Sequence, residues 1–379
     1  MRRTDAPPVL VEVTRGSQVE SRHRGSIAVV APNGELRAAV GDPDQLIYLR
    51  SAAKPFQLAP FVTSGRFDEY GFGTDALAIM AASHSGEDRH VRLVQALLRS
   101  AGLTQSALKC GTHVPYDAET AERLIRDGEA PSAARHNCSG KHAGMVLFAR
   151  ASGWPMETYY EPSHPIQQAA LDVVAALTDV PAAQVITATD GCGVVTFGLP
   201  LRGLALAYAR LADPASVADP PIRRALARIG AAMMEHPVLV GGERRRLDTS
   251  LMRERPGVLI AKGGAEGVQA IGLLEGARDE RAALAPPDAG SAGDGERGRQ
   301  RTGGRRRAEP SPPLGLALKI EDGTGASRAG GAATCAALEQ LGVLDAASMS
   351  RLAAFASPPI RDPRGEPSGE VRTVFRLAP

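Results

Sequence analysis

The order of strand and helix patterns along the chain is the feature that most constrains its fold. Alternating apolar and polar residues, typical of half-buried strands, occur near the start in "VLVEVTRG" (9–16) and near the end in "VRTVFRL" (371–377). Between them, residues 75–103, 164–179 and 220–237 carry apolar residues at helical spacing. We therefore expect an α+β fold, in which N- and C-terminal strands form an antiparallel sheet beside a helical region.

Length and charge narrow the possible functions. The chain has 379 residues, 43% of them hydrophobic, enough to bury a sizeable core, and we expect one domain over residues 1–379. A net charge of +2 lacks the basic excess that nucleic-acid or membrane-surface binding requires, so neither partner is expected. No secretory signal and no apolar run of about 18 residues is present, which favours a cytoplasmic location.

Residues 278–310 differ from the rest of the chain. They are rich in Gly, Pro, Ala and Arg and show no apolar period, which predicts a disordered surface insertion. The stretch "RQRTGGRRR" alone would favour a nucleic-acid-binding tail.

A Ser-x-x-Lys motif follows the first strands, in "LRSAAKPFQ". On a helix, the spacing of three puts Ser51 and Lys54 on one face. A serine hydroxyl needs a base to become a nucleophile, and a lysine serves when burial keeps it neutral. The same motif carries the nucleophile of penicillin-binding proteins and β-lactamases. A helix cap followed by a solvated lysine is the alternative interpretation.

Two later motifs occupy the order seen in serine acyl-enzymes. Ser83 lies in "ASHSGED", at a polar break between helical segments. Lys262 ends an apolar strand in "LIAKGGAEG", as in the Lys-Thr-Gly strand motif. Each motif alone also fits an ordinary cap or glycine turn, but three in this order are hard to obtain by accident.

Two cysteine motifs, "RHNCSGKHAGM" and "TDGCGVVTFG", are rich in glycine. Cys138 and Cys192 with a nitrogen or oxygen donor could hold Zn²⁺, although the spacing is not that of a zinc ribbon. Two unrelated buried thiols are the alternative interpretation.

Together, "YLRSAAKPFQ", "ASHSGED", "HNCSGKHAGM", "TDGCGVVTFG", "AKGGAEG" and "LKIEDG" resemble the rhizobial-type L-asparaginase II family. The resemblance runs in order from about Val9 to Pro379, and the two cysteine motifs make it specific. It implies a fold similar to serine β-lactamases and penicillin-binding proteins, and a homodimer. The 278–310 segment is an addition to the family pattern.

The resemblance also implies the site. It pairs Ser51 with Lys54 and Ser83 with Lys262, and it assigns zinc to Cys138, Lys141 and Cys192. The expected activity is hydrolysis of L-asparagine to L-aspartate and ammonia through an acyl-enzyme. We expect Ser51 to attack the side-chain carbonyl after Lys54 takes its proton, and Ser83 with Lys262 to relay a proton to departing ammonia. Ser83 as the nucleophile stays open.

The substrate's charged groups need partners of opposite sign. We expect Arg50 to bind the α-carboxylate, Asp190 to bind the α-ammonium, and His142 to orient the substrate. Zinc would position the substrate or brace the site. Two other functions remain open at this point: a β-lactamase or peptidase acting on larger acyl groups, and a non-catalytic zinc-binding module.

Overall fold

The computed structural model describes residues 6–279, 310–323 and 328–378, and its largest element is an antiparallel sheet of seven strands. The strands are β1 (Val9–Arg15), β2 (Gln18–Val30), β3 (Leu36–Val40), β7 (Leu259–Gly263), β8 (Val268–Leu273), β9 (Leu314–Ile320) and β12 (Val371–Thr373). They pair in the order β12-β1-β2-β9-β8-β7, and β3 pairs with β2 across the turn at Asn33-Gly34. The predicted sheet of N- and C-terminal strands is therefore confirmed. Its likeness to serine β-lactamases stays a prediction.

Helices fill the middle of the chain and return near its end. They are α1 (Lys54–Thr63), α2 (Thr74–Met80), α3 (Asp88–Ser100), α4 (Ala118–Arg126), α5 (Ser139–Ser152), α6 (Pro165–Thr178), α7 (Leu201–Ala212), α8 (Pro220–Glu235), α9 (Pro237–Val240), α10 (Leu247–Glu254), α11 (Ala329–Gln340), α12 (Ala346–Arg351) and α13 (Ala353–Ala356). Short 3₁₀ helices occupy Arg50–Ala53, Asp68–Tyr70, Gln105–Ala107, Ala133–Arg135, Ala182–Gln184 and Pro214–Ser216. Within the described ranges, no helix is long and apolar enough to cross a membrane.

A second sheet includes two strands from the middle of the chain, where only helices are expected. Strands β4 (Leu46–Tyr48), β5 (Ile186–Thr189) and β6 (Val195–Pro200) form it in the order β4-β6-β5. Strands β10 (Ile360–Arg361) and β11 (Pro367–Gly369) form a separate hairpin. The central sheet matters for function, because β4 runs into Arg50 and β5 runs into Asp190.

Helix α7 lies directly on the main sheet. Gly272 and Gly315 are register partners on β8 and β9, and a Cβ at Gly315 would overlap the Ala205 carbonyl of the helix. A Cβ at Gly272 would lie 2.7 Å from the Tyr208 carbonyl. Small residues on both elements thus allow backbone-to-backbone packing over a continuous buried apolar core. This helix packs strands β8 and β9 against the helical region.

Most of the predicted insertion at 278–310, namely residues 280–309, lies outside the described residues.

Candidate active site

The Ser-x-x-Lys motif lies where β4 leads into α1. Leu49 donates its N–H to the Phe197 carbonyl, and Arg50 then adopts a φ of 49°, a left-handed conformation that is unusual for a residue with a side chain. Ser51 follows in a 3₁₀ helix, and Lys54 begins α1 with Pro55 in the first turn. Strained backbone at such a junction is common in functional sites. It leaves Ser51 partly exposed, while Lys54 is fully buried.

Three of the expected catalytic side chains meet in one buried chain of contacts. The Ser83 hydroxyl lies 2.8 Å from the Lys54 amine and 2.8 Å from the Lys262 amine. Lys54 also donates to the carbonyls of Ala82, at 2.5 Å, and Asn137, at 3.4 Å, and Lys262 donates to the Gly263 carbonyl at 2.6 Å. Ser83 therefore bridges the two lysines.

Ser51 lies near the hydrogen-bonded Lys54–Ser83–Lys262 group but is not hydrogen-bonded to it. Among the residues that the structure describes, no hydrogen bond joins the Ser51 hydroxyl to Lys54. The Leu49 carbonyl would lie 2.9 Å from a Cβ at Gly264, so the Ser51 turn abuts the end of the Lys262 strand. Catalytic hydrogen bonds are often long before substrate binds and shorten in the complex.

Burial sets the charge of the two amines. Loss of solvent lowers the pKa of Lys262 to about 7, against the opposing effect of Asp248. Burial also lowers the pKa of Lys54, against the neighbouring Cys138 thiol. A neutral lysine has a lone pair and can accept a proton. Both shifts raise the fraction of neutral amine, the form that can act as a base.

The expected metal ligands also come together. The Lys141 amine donates to the Cys192 sulfur at 3.0 Å, and a hydrogen bond from Cys192 lowers the pKa of the Cys138 thiol well below its usual value. Burial acts to lower the pKa of Lys141, but the Cys192 and Cys138 thiols outweigh it and the pKa is raised. Two sulfurs and one amine thus form a compact buried group.

This donor set suits a soft cation, although it is not a common metal site. Over the described ranges, no group of three or more His, Cys, Asp or Glu side chains is arranged to hold a metal ion. Cys138 and Cys192 supply only two such ligands, and the third donor is an amine. Thiolate and nitrogen donors are those that Zn²⁺ prefers, so the residues present fit that ion.

The expected substrate-binding residues divide into two groups. Arg50 and Asp190 form an ion pair with 2.6 Å between Nε and Oδ1, and Asp190 lies 3.8 Å from the Cys192 sulfur. His142 is instead fully buried, its Nδ1 is 2.5 Å from the Tyr159 hydroxyl, and burial lowers its pKa to about 4. The Nε2 atom of His142 has no hydrogen-bond partner in the described part of the chain.

A segment that sequence reasoning did not single out frames the site. Arg246 donates to the Ser83 carbonyl at 2.7 Å and to the Ser85 hydroxyl at 3.1 Å, which holds the loop that carries Ser83. Asp248, two residues later, accepts from the Gly263 N–H at 2.9 Å. In sequence, "GGERRRLDT" reads as a charged surface stretch, and only the fold brings it against Lys262.

One sequence signal does point to the site. The chain has only five lysines, Lys54, Lys109, Lys141, Lys262 and Lys319, and the rest of its 44 basic residues are arginines. Arginine cannot lose its proton in proteins, so it replaces lysine where only charge is needed. Three of the five lysines lie in this site, where a neutral amine or a metal donor has a use.

Comparison with known proteins identifies the family. The family model described as L-asparaginase II matches residues 11–373, and no curated protein matches the chain. One solved structure, described as Mglu in its native form, is 13% identical over 86% of this chain and 67% of its own, with a TM-score of 0.34. Another, of Mglu in the presence of 4.3 M NaCl, is 15% identical over 86% and 63%, with a TM-score of 0.32. Because the family model spans nearly all of its length, the chain belongs to the L-asparaginase II family.

Proposed function

We propose that this protein is an L-asparaginase that hydrolyses the side-chain amide of L-asparagine through an acyl-enzyme on Ser51. Family membership supports hydrolysis of an amide of this class. The observation that carries the mechanism is the buried Lys54–Ser83–Lys262 chain, with Ser51 one turn before Lys54. The proposal also includes the serine β-lactamase-like fold, a rhizobial-type subfamily and a homodimer, which light scattering would measure as twice the mass of the chain.

The donor and acceptor roles available to Lys54, Ser83 and Lys262 support a proton relay through Ser83. A hydroxyl has one proton, so Ser83 can donate to only one of the two amines, and the amine that accepts must be neutral. The other amine can remain an ammonium ion and donate to the Ser83 oxygen. A serine held between a base and an acid can pass one proton from the acid to a leaving group.

The reaction then proceeds in two steps. Neutral Lys54 takes the proton of Ser51 while its oxygen bonds to the asparagine carbonyl carbon. The C–N bond breaks as Ser83 gives its proton to the departing nitrogen and takes another from Lys262, which releases ammonia. Water then attacks the Ser51 ester and gives one proton to Lys262, while Lys54 returns its proton to the Ser51 oxygen as the ester bond breaks and L-aspartate leaves. The sum is one amide and one water consumed for one acid and one ammonia.

The Arg50–Asp190 pair supports an amino-acid substrate. A free amino acid carries an α-carboxylate and an α-ammonium close together, and adjacent charges of opposite sign complement it. Arg50 directly precedes Ser51, so a carboxylate bound there lies near the nucleophile. His142 is fully buried, and its neighbours include the Tyr159 hydroxyl and the Cys192 sulfur, so its proposed part is to orient the substrate indirectly through them.

The substrate test compares three compounds. The purified protein is expected to release ammonia from L-asparagine with a kcat/KM at least about 10-fold above that for L-glutamine, whose extra methylene displaces the amide from Ser51. Ammonia is measured by a coupled assay. An absence of ammonia release from L-asparagine would refute the proposal. A covalent β-lactam adduct, detected by intact mass, would favour the rival acyl hydrolase of larger substrates.

Zinc is the cofactor that we propose for Cys138, Lys141 and Cys192. When bound, the ion would supply a fixed positive charge beside Asp190, and two thiolate ligands favour a positioning role over strong Lewis acidity. Elemental analysis is expected to find about one zinc ion per chain, and Cys192→Ser is expected to lose it. Cys335→Ser, at a buried cysteine on α11, is the matched control and should retain zinc. Retention of zinc by Cys192→Ser would exclude this site, whether or not the protein hydrolyses asparagine.

A further inference from the structure

A buried carboxylate that no motif predicts lies beside the Lys262 amine. Asp248, in the first turn of α10, is 4% exposed. Its Oδ2 accepts from the Gly263 N–H at 2.9 Å, and its Oδ1 accepts from the Gln269 side-chain amide at 3.0 Å. The same Oδ2 is 4.0 Å from Lys262 Nζ. Its two oxygens are thus fixed from both sides, next to the end of the Lys262 strand.

A carboxylate in this position requires a positive charge nearby. Burying an anion is costly unless it is paired, and the two donors that hold Asp248 are both neutral. Among the described residues, Lys262 lies within 4.0 Å of the carboxylate, and Arg246 also acts on it electrostatically. Other charged or titratable groups that act on Lys262 are Lys54 on α1, Arg246 before α10 and the Cys138 thiol before α5. Of the groups facing Lys262, Asp248 is the carboxylate, and it opposes two cations that would drive the proton off.

The carboxylate also breaks the symmetry of the relay. Ser83 lies equally far from the two lysines, so its own contacts do not decide which amine is the ammonium ion. Asp248 lies beside Lys262 and favours that amine as the ammonium ion, whereas the acidic group beside Lys54 is the Cys138 thiol, a proposed zinc ligand. The hydrogen bond from Gly263 to Asp248 ties this charge to the strand that carries Lys262, so the two move as a unit.

From this geometry we propose that Asp248 is a positioning residue, which keeps Lys262 protonated and directed at Ser83 so that Lys262 supplies the proton and Lys54 receives one. This inference rests on the proposed function for its meaning, but the ionisation of Lys262 can be measured without any substrate.

The direct test is a titration of Lys262 in the full-length protein. With only five lysines, ¹³Cε-labelled lysine gives few signals, and Lys262→Met assigns the one of interest. Asp248→Asn removes the anion and keeps its shape. It is expected to move the titration midpoint of Lys262 down by about one pH unit or more, since an opposite charge within 4–6 Å has an effect of this size. An unchanged midpoint would overturn the inference.

Activity gives the second readout. Because an ammonium form of Lys262 is required, activity falls as pH rises through its midpoint, and Asp248→Asn should move this alkaline limb to lower pH with kcat reduced more than KM is raised. Asp117→Asn removes another buried carboxylate, one paired with Arg244, and should leave the limb in place. A general loss of stability would affect both variants alike and would not move the limb.

A third measurement covers the case in which Asp248→Asn does not fold. Lys262→Met alone leaves the Asp248 anion without its cation, whereas Lys262→Met with Asp248→Asn removes both charges. The double variant is therefore expected to unfold at a higher temperature than Lys262→Met. An equal or lower unfolding temperature would overturn the pairing. If wild-type protein released no ammonia but the titrations behaved as expected, the proposed function would fail and the pairing would stand.

Discussion

Ser51→Ala is expected to lower kcat for asparagine hydrolysis by about 10⁴-fold or more, because it removes the atom that bonds to the carbonyl carbon. Ser83→Ala should also lower kcat, by roughly 10²- to 10⁴-fold, because it removes a proton-transfer step. Loss of activity alone does not separate the two roles. A substrate whose leaving group needs no proton does separate them.

The aspartate β-4-nitrophenyl ester is such a substrate, since nitrophenolate leaves as an anion. If Ser83 serves as the relay, Ser83→Ala retains most of its rate with this ester, and hydroxylamine traps the acyl group. Ser51→Ala should release no nitrophenolate above background. Ser64→Ala, at the C-terminal end of α1, is the control and should behave as wild type. The opposite pattern, with ester turnover in Ser51→Ala and none in Ser83→Ala, would make Ser83 the nucleophile.

Much of the fold follows from short-range patterns. The alternation in "VLVEVTRG" and the Asn33-Gly34 turn predict β1, β2 and β3, because strand period and positive φ are local properties. The sequence of β4 (Leu46–Tyr48) is also typical of a strand. The other two strands of the central sheet, β5 and β6, are not predicted, because four and six residues are too few for an alternating pattern to be distinguished from a loop between glycines.

The candidate site divides in a similar way. Ser51 and Lys54 are predictable as neighbours, since they are three positions apart on a helical turn. Ser83 and Lys262 are 179 residues apart, and only their resemblance to known motifs relates them in advance. Resemblance paired Ser83 with Lys262 alone, whereas the fold puts Ser83 in contact with Lys54 as well.

The burial of Asp248 beside Lys262 cannot be predicted from a local sequence pattern. It follows three arginines, which in sequence favours a surface ion pair on a solvated helix. Its burial depends on where α10 meets β7, and that position is set by packing of distant elements rather than by its neighbours. The scarcity of lysine is a more general signal. In a chain whose basic residues are mostly arginine, a lysine that is kept can mark a position that needs a neutral amine, which arginine cannot supply.

Lys54→Arg tests whether a neutral amine is needed at the proposed base. Burial lowers the pKa of Lys54, which raises the fraction of neutral amine near neutral pH, whereas a guanidinium stays protonated at every accessible pH. If Lys54 accepts the proton of Ser51, the arginine variant should lose about 10²- to 10⁴-fold in kcat although the positive charge is kept. Steady-state kinetics on L-asparagine measure the loss.

Two variants exclude simpler causes. Lys109→Arg, at an exposed lysine, is the matched substitution and should leave kcat unchanged. Lys54→Met fills similar space without charge or lone pair, and it should be as inactive as Lys54→Arg, with circular dichroism confirming that both fold. If Lys54 acted only as a fixed cation that holds Ser83, the arginine variant would retain activity and the methionine variant would lose it. Equal loss in both is the result that requires a proton acceptor, because the lone pair of a neutral amine is the one property that neither replacement has.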